Sequence, residues 1–165
     1  RAVQAMDLPK AASGLGGRME RGSLVIPCLG RDFRIDASGG VSSDVHVNPW
    51  VVVPLLQYVL RGGTGLPEGR WIAFDELSSG TFRGQYFRRR CEEPLRALLD
   101  RGESLFADIM DMFGAAGPEE GFGADRAWLI HPLPRVPFLI LYWRPEAEFE
   151  SKAKILLDRR TEAFL

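Results

Sequence analysis

The chain has 165 residues, of which 45% are hydrophobic and 26% charged, a balance that fits one globular domain and excludes a disordered or collagenous polymer. Surface scaling for 18.4 kDa buries roughly 69% of the extended chain's surface on folding, enough for a core without disulfide or metal staples. Lys and Arg number 21 against 22 Asp and Glu, a net charge of −1, so the basic footprint of a dedicated nucleic-acid binder is missing.

Residues 1–22, with Gly14, Gly16 and Gly17, show no clear element and are expected to be irregular. Leu24 to Cys28 and the alternating Asp32 to Asp36 predict two short strands around a Leu29-Gly30 turn. Asn48 as N-cap and Pro49 in the first turn predict a helix from Trp50 to about Leu60, closed by Arg61-Gly62-Gly63 and containing Pro54. Trp71 to Phe74 predicts a core strand, with Ser78-Ser79-Gly80 as its exit loop.

Phe82, Tyr86, Phe87, Cys91, Leu95, Leu98 and Leu99 recur at helical spacing, with Pro94 dividing the segment into two helices. Gly102 stops this stretch. Ser104 then caps an amphipathic helix through Leu105, Phe106, Ile109, Met110 and Phe113, and the glycine-rich segment from Gly114 to Gly123 reads as a mobile loop.

Strands return in the last third: Ala127 to Ile130, an arch from Pro132 to Pro137, and Phe138 to Trp143, whose continuous apolar run predicts a central strand buried on both faces. An acidic loop, Glu146 to Glu150, leads to the strand-like Ile155 to Asp158 and a short helical end from Arg160 to Leu165. The expected fold is α+β, a single domain over residues 1–165, with a mainly antiparallel sheet and helices packed on one face.

No apolar run reaches the roughly 20 residues of a membrane helix, and no basic-then-apolar signal segment opens the chain. A soluble, cytoplasmic protein is expected. The sequence begins at Arg1 rather than methionine, which leaves room for an upstream segment. Cys28 and Cys91 lack the dense pattern of a secreted disulfide scaffold and are expected to be buried thiols.

Several phrases, in order, resemble a known family: Gly69-Arg70-Trp71-Ile72-Ala73-Phe74-Asp75-Glu76-Leu77, then Pro134-Arg135-Val136-Pro137 before the strand ending in Tyr142-Trp143, then Glu148-Phe149, then Ile155-Leu156-Leu157-Asp158. Together with the hairpin from Leu24 to Asp36 they resemble a prokaryotic family classed as a domain of unknown function. The resemblance implies an anaerobe protein whose relatives are sometimes joined to a four-cysteine iron–sulfur domain of the kind seen in corrinoid iron–sulfur proteins. The chain departs from the family pattern at Leu157, where phenylalanine is usual, and near Glu150, where proline is usual. No cysteine-rich extension is seen within these 165 residues, and the family has no established catalytic residues to carry over.

Five polar residues lie beside apolar strands, where a carboxylate can be desolvated for acid–base work: Asp75, Glu76, Asp125, Arg135 and Asp158. They form the candidate pocket. The structural alternative has Arg135 forking onto one carboxylate, Asp158 or Asp75 being the expected partner, while the others cap turns. Cys28, Cys91, His46 and His131 lack the spacing of a metal site, so no metal or cofactor is expected. Glu146, Glu148 and Glu150 lack the scaffold of a calcium loop and read as solvated. Arg88, Arg89 and Arg90 spread around a helix, and Gly14 to Gly17 lacks dinucleotide-fingerprint spacing.

No spacing matches a strong catalytic, metal or phosphate motif. With the resemblance, this favours a non-catalytic binding or accessory module acting beside iron–sulfur or corrinoid proteins, with neither nucleic acid nor membrane as partner. An enzyme of unknown class using the Asp/Glu/Arg pocket and a self-associating structural domain are the alternatives.

Overall fold

The computed structural model describes residues 7–78, 80–117 and 121–165, and its strands divide between two four-stranded antiparallel sheets. The first is a meander of β1 (Arg18–Glu20), β2 (Ser23–Cys28), β3 (Arg31–Ile35) and β4 (Val41–Ser43). Two-residue turns close its first two hairpins. Arg21 and Gly22 lie at φ 50° and 82°, Leu29 and Gly30 at 50° and 73°, the left-handed pairs whose twist matches that of the flanking strands.

Leu24, Ile26 and Cys28 alternate along β2, and Phe33 and Ile35 along β3. They enter a core with Leu8, Ala12 and Leu15 of α1 (Leu8–Leu15) and Leu55, Tyr58 and Val59 of α2 (Pro49–Arg61). α2 starts where the sequence places it, with the Asn48 side chain accepting from the Trp50 N–H at 2.9 Å, and ends at Gly62 in the left-handed region. Residues 7–22, expected to be irregular, hold α1 and β1 instead. Asp7 caps α1 by accepting from the Lys10 N–H at 3.1 Å, and Gly16, at φ 71°, ends it. Residues 1–6 of that segment lie outside the described residues.

The second sheet has the order β5 (Trp71–Ala73), β8 (Lys152–Asp158), β7 (Val136–Trp143), β6 (Arg126–Leu133). β7 is central, as its apolar run requires. β5 is an edge strand rather than a core strand, because the chain turns into a 3₁₀ helix at Phe74–Glu76 and only three residues pair. The arch tightens to a hairpin, with Leu133 opposite Val136 and Pro134-Arg135 at its tip. On one face of β7, Val136 joins the first core, and Ile140 and Tyr142 join a second core with Leu99, Phe106 and Met110 of α4 (Glu93–Arg101) and α5 (Glu103–Met112). The architecture is therefore α+β in one domain, with two antiparallel sheets where one was expected.

Pro94 does not divide the helical middle. α3 (Gly84–Phe87) runs through a π turn, Arg88–Glu92, into α4, with Glu92 and Glu93 both in helical conformation. A proline ring clashes with the carbonyl four residues earlier in a regular helix, and a widened turn relieves that clash without a break. Ser104 is not the cap of α5: the corner is made by Gly102, whose carbonyl accepts from the Phe106 N–H at 3.1 Å. Ser79 of the expected exit loop and residues 118–120 of the expected mobile loop lie outside the described residues, while Ala116 in that loop pairs with Leu129. No helix among the described residues is long and apolar enough to cross a membrane.

Candidate binding cleft

Where α4 ends, α5 begins and β7 leads toward β8, the surface opens into a cleft of about 650 Å³. Arg96 and Asp100 stand one turn apart on α4 and so share a face. Glu103 lies in the first turn of α5, where the helix dipole favours a carboxylate. Tyr142 and Arg144 come from the end of β7, and Ser151 directly precedes β8.

Asp100 is the centre of this group. The buried Tyr142 hydroxyl donates to its Oδ1 at 2.7 Å, and the Ser151 hydroxyl donates to its Oδ2 at 2.8 Å. Arg96 Nη1 donates to Ser151 Oγ at 3.3 Å and stands 3.8 Å from Asp100 Oδ2 and 3.4 Å from Glu150 Oε2. Burial and the neighbouring Asp100 carboxylate push the Tyr142 phenol up to about 12, so it acts as a fixed donor.

A second knot closes the other wall. Arg144 forks onto Glu103, its Nε 2.5 Å from Oε1 and its Nη2 2.6 Å from Oε2, and Arg126 Nε stands 3.2 Å from Oε2. The Arg144 guanidinium above all holds the Glu103 carboxyl below the usual carboxylate range. The Arg144 N–H donates to Asp125 Oδ2 at 2.7 Å.

The cleft continues along β8 as a hollow of about 500 Å³ that shares Arg96, Glu150 and Ser151 and adds Arg88, Glu92 and Lys154. β5 pairs only with Leu156 to Asp158, which leaves the Ile155 N–H without a strand partner on that side. The buried Glu92, turned inward by the π turn, accepts from it at 3.1 Å and lies 3.8 Å from Lys154 Nζ. A strand edge that would otherwise be open is thereby capped.

The five residues singled out from the sequence do not share a cavity. None of them lines the large cleft, although Asp125 braces its rim through Arg144. Asp75 lines a small hollow of about 70 Å³ that shares Arg88, Glu92 and Lys154 with the cleft's extension along β8. Glu76 accepts from the Ala73 N–H at 2.7 Å and caps the 3₁₀ helix. Asp158, fully buried, accepts from the N–H groups of Gly69 at 2.7 Å and Arg160 at 2.9 Å.

The expected pairing of Arg135 with Asp158 or Asp75 does not form: the Arg135 guanidinium lies against Gly16 at the end of α1, while Asp158 is bonded by two backbone N–H groups. Among the described residues Arg135 makes no ion pair. Its Nε is buried without a hydrogen-bond partner, and its side chain lies by Gly16, where a Cβ would come 3.5 Å from that nitrogen. Its backbone N–H donates to the Tyr58 hydroxyl at 3.2 Å.

Cys28 is buried and Cys91 half-buried, and no three His, Cys, Asp or Glu side chains among the described residues converge as a metal site requires. Arg88, Arg89 and Arg90 are exposed, with Arg90 held 5.7 Å over the Tyr86 ring. Of the acidic loop, Glu150 reaches the cleft.

Sequence reasoning missed Arg96, Asp100, Glu103, Tyr142, Arg144 and Ser151. One signal was available. A tyrosine at the end of a strand buried on both faces needs an acceptor for its hydroxyl, and Asp100 near a helix end is a natural supplier.

What the cleft can do follows from this pairing. Each oxygen of Asp100 and of Glu103 already accepts at least one donor, so both carboxylates are held as anions in charge-assisted bonds. No curated protein and no solved structure matches the chain. The model of one family does, that of the Domain of unknown function (DUF3786), over residues 7–165, and the chain belongs to that family.

Proposed function

We propose that this domain is a non-catalytic binding module that receives a polar surface segment of a partner protein in the Arg96, Asp100, Ser151 and Tyr142 cleft. The observation that carries this reading is the wide cleft walled by charges of both signs, each held by a neighbour. Such walls can exchange internal pairs for pairs with an incoming segment at small desolvation cost, which gives specificity and moderate affinity. The partner class follows from the resemblance of the chain's ordered phrases to a family associated with iron–sulfur and corrinoid proteins. The domain is accordingly an accessory to one of these.

Isothermal titration of the purified domain with iron–sulfur and corrinoid proteins encoded beside its gene tests the reading. Saturable binding is expected, weakened at least about tenfold by Arg96→Ala, which corresponds to about 1.4 kcal/mol. Absence of heat with every such protein, or binding indifferent to Arg96→Ala, would remove it.

A further inference from the structure

On one edge β8 pairs with β7 from Lys152 to Leu157. On the other edge β5 covers only Leu156 to Asp158 before the chain leaves the sheet at Phe74. The bonds already made fix which backbone groups face this second edge. The Arg159 N–H donates to the Arg70 carbonyl at 2.9 Å, beside β5, and the Ile155 N–H donates to Glu92. Alternate residues of a strand turn their N–H and C=O to the same side, so Ala153 presents both groups here as well. Ala153 is 7% exposed and belongs to the wall of the hollow along β8. No strand among the described residues lies beside it on this edge. Glu92 meanwhile supplies the acceptor that a longer β5 would have given to Ile155, one bond of a strand that is not there.

We propose that an extended acidic segment of a partner protein adds to β8 as a strand at Ala153 and Ile155. It runs antiparallel to β8, continues the ladder where β5 breaks off, and takes the Ile155 N–H from Glu92. The proposal rests on the reading of the neighbouring cleft as a binding site, with which the hollow shares Arg96, Glu150 and Ser151.

In strand addition the main chain supplies affinity and alternate side chains supply selectivity. Directly opposed residues of two strands share a face. Lys152 and Lys154 alternate on one face of β8, so carboxylates two residues apart on the incoming segment meet both. The rest of the wall favours the same sign: Arg88, Arg96, Lys152 and Lys154 line the hollow with Glu92, Glu93 and Glu150. Lys154 stands 3.8 Å from Glu92, and Arg96 stands 3.4 Å from Glu150. Releasing Glu92 from the edge frees Lys154 for an incoming carboxylate and leaves the four cations facing Glu93 and Glu150 alone.

The probe is a capped hexapeptide of alternating glutamate and valine, titrated into the full chain to about 5 mM, a range suited to a contact of a few residues. Amide hydrogen exchange at Ala153 should slow at least about tenfold as the peptide saturates. N-methylation of the valine amides removes the donors to the Ala153 and Ile155 carbonyls and keeps the charge. It should weaken binding at least about tenfold, as should lysine in place of glutamate. Glu92→Gln keeps an acceptor for Ile155 without the charge-assisted bond and should tighten binding about threefold. Unchanged exchange at Ala153, or a methylated peptide that binds as tightly as its parent, would overturn the proposal. Slowing that grows with protein concentration in the absence of peptide would assign the edge to a second copy and overturn it as well. Partner proteins that bind through Arg96 while the peptide leaves Ala153 unchanged would keep the cleft reading and remove only the strand. Peptide protection at Ala153 with no binding of iron–sulfur or corrinoid proteins would keep the strand and remove that partner class.

Discussion

The hydroxyl of Tyr142 donates to Asp100 Oδ1 across 2.7 Å and ties the end of the central strand to the last turn of α4. Tyr142 is 2% exposed, so removing its acceptor strands a buried hydroxyl. Asp100→Ala should destabilise the domain by about 2–3 kcal/mol, whereas Tyr142→Phe should cost only about 1 kcal/mol, since Asp100 keeps its bond from Ser151. Urea unfolding midpoints at constant m-value measure both, and the reverse order would contradict the network.

At the other end of the molecule the Tyr58 hydroxyl donates to the Leu15 carbonyl at 2.7 Å and accepts from the Arg135 N–H at 3.2 Å. Tyr58→Phe orphans both groups and should cost about 2–3 kcal/mol. Arg135→Ala, by contrast, breaks no ion pair and leaves its own backbone N–H in place. It should change stability by no more than about 1 kcal/mol. Denaturant melts of the two variants compare them directly.

Asp158 holds two backbone donors from a fully buried position. Asp158→Ala should lose about 2–4 kcal/mol, because both N–H groups are left without an acceptor and a helix cap is lost. Asp158→Asn retains one carbonyl oxygen and should recover part of that loss. Thermal unfolding of the pair ranks them.

Glu103 is held below the usual carboxylate range by Arg144. A carboxyl depressed in the folded state contributes its full stability above the unfolded value, near 4.3 for glutamate, and loses it as the pH falls through the folded value. Stability should therefore be flat with respect to this group at neutral pH and decline on acidification below about pH 5. Glu103→Gln should shallow that acid limb, as read from urea midpoints across the pH series.

Much of the fold was legible because its signals are local. Asn48-Pro49 and Gly62 bracket α2, Leu29-Gly30 marks a hairpin, and the unbroken run from Phe138 to Trp143 can only be a strand covered on both sides. α1 was harder to see, since its apolar stripe is three residues within a glycine-rich stretch. Pro94 misled because proline normally interrupts a helix, and the π turn that absorbs it, which also lets Glu92 accept from the distant Ile155 N–H, leaves no mark in local sequence. The cleft was hidden for a related reason: its members lie on α4, α5, β7 and the residues just outside β7 and β8, and only the register of β7 against β8, with Tyr142 opposite Ala153, brings Ser151 to Asp100. Arg135 was a sound choice of rigid position but a poor guide to a partner, because its side chain packs against Gly16, a contact between segments far apart in sequence.

Phe138 packs against both hydrophobic cores. One face of β7 supplies Val136 to the first core and Ile140 and Tyr142 to the second, and its neighbour β6 likewise gives Leu133 to the first and Ile130 to the second, so this pair of strands is shared between the two halves. Opening either core drags β7 out of the other, and a partially melted state would expose apolar surface on both sides of the break. The two sheets are therefore coupled into one cooperative unfolding unit, in which a cavity made at Phe138 weakens the α1–α2 half and the α4–α5 half together.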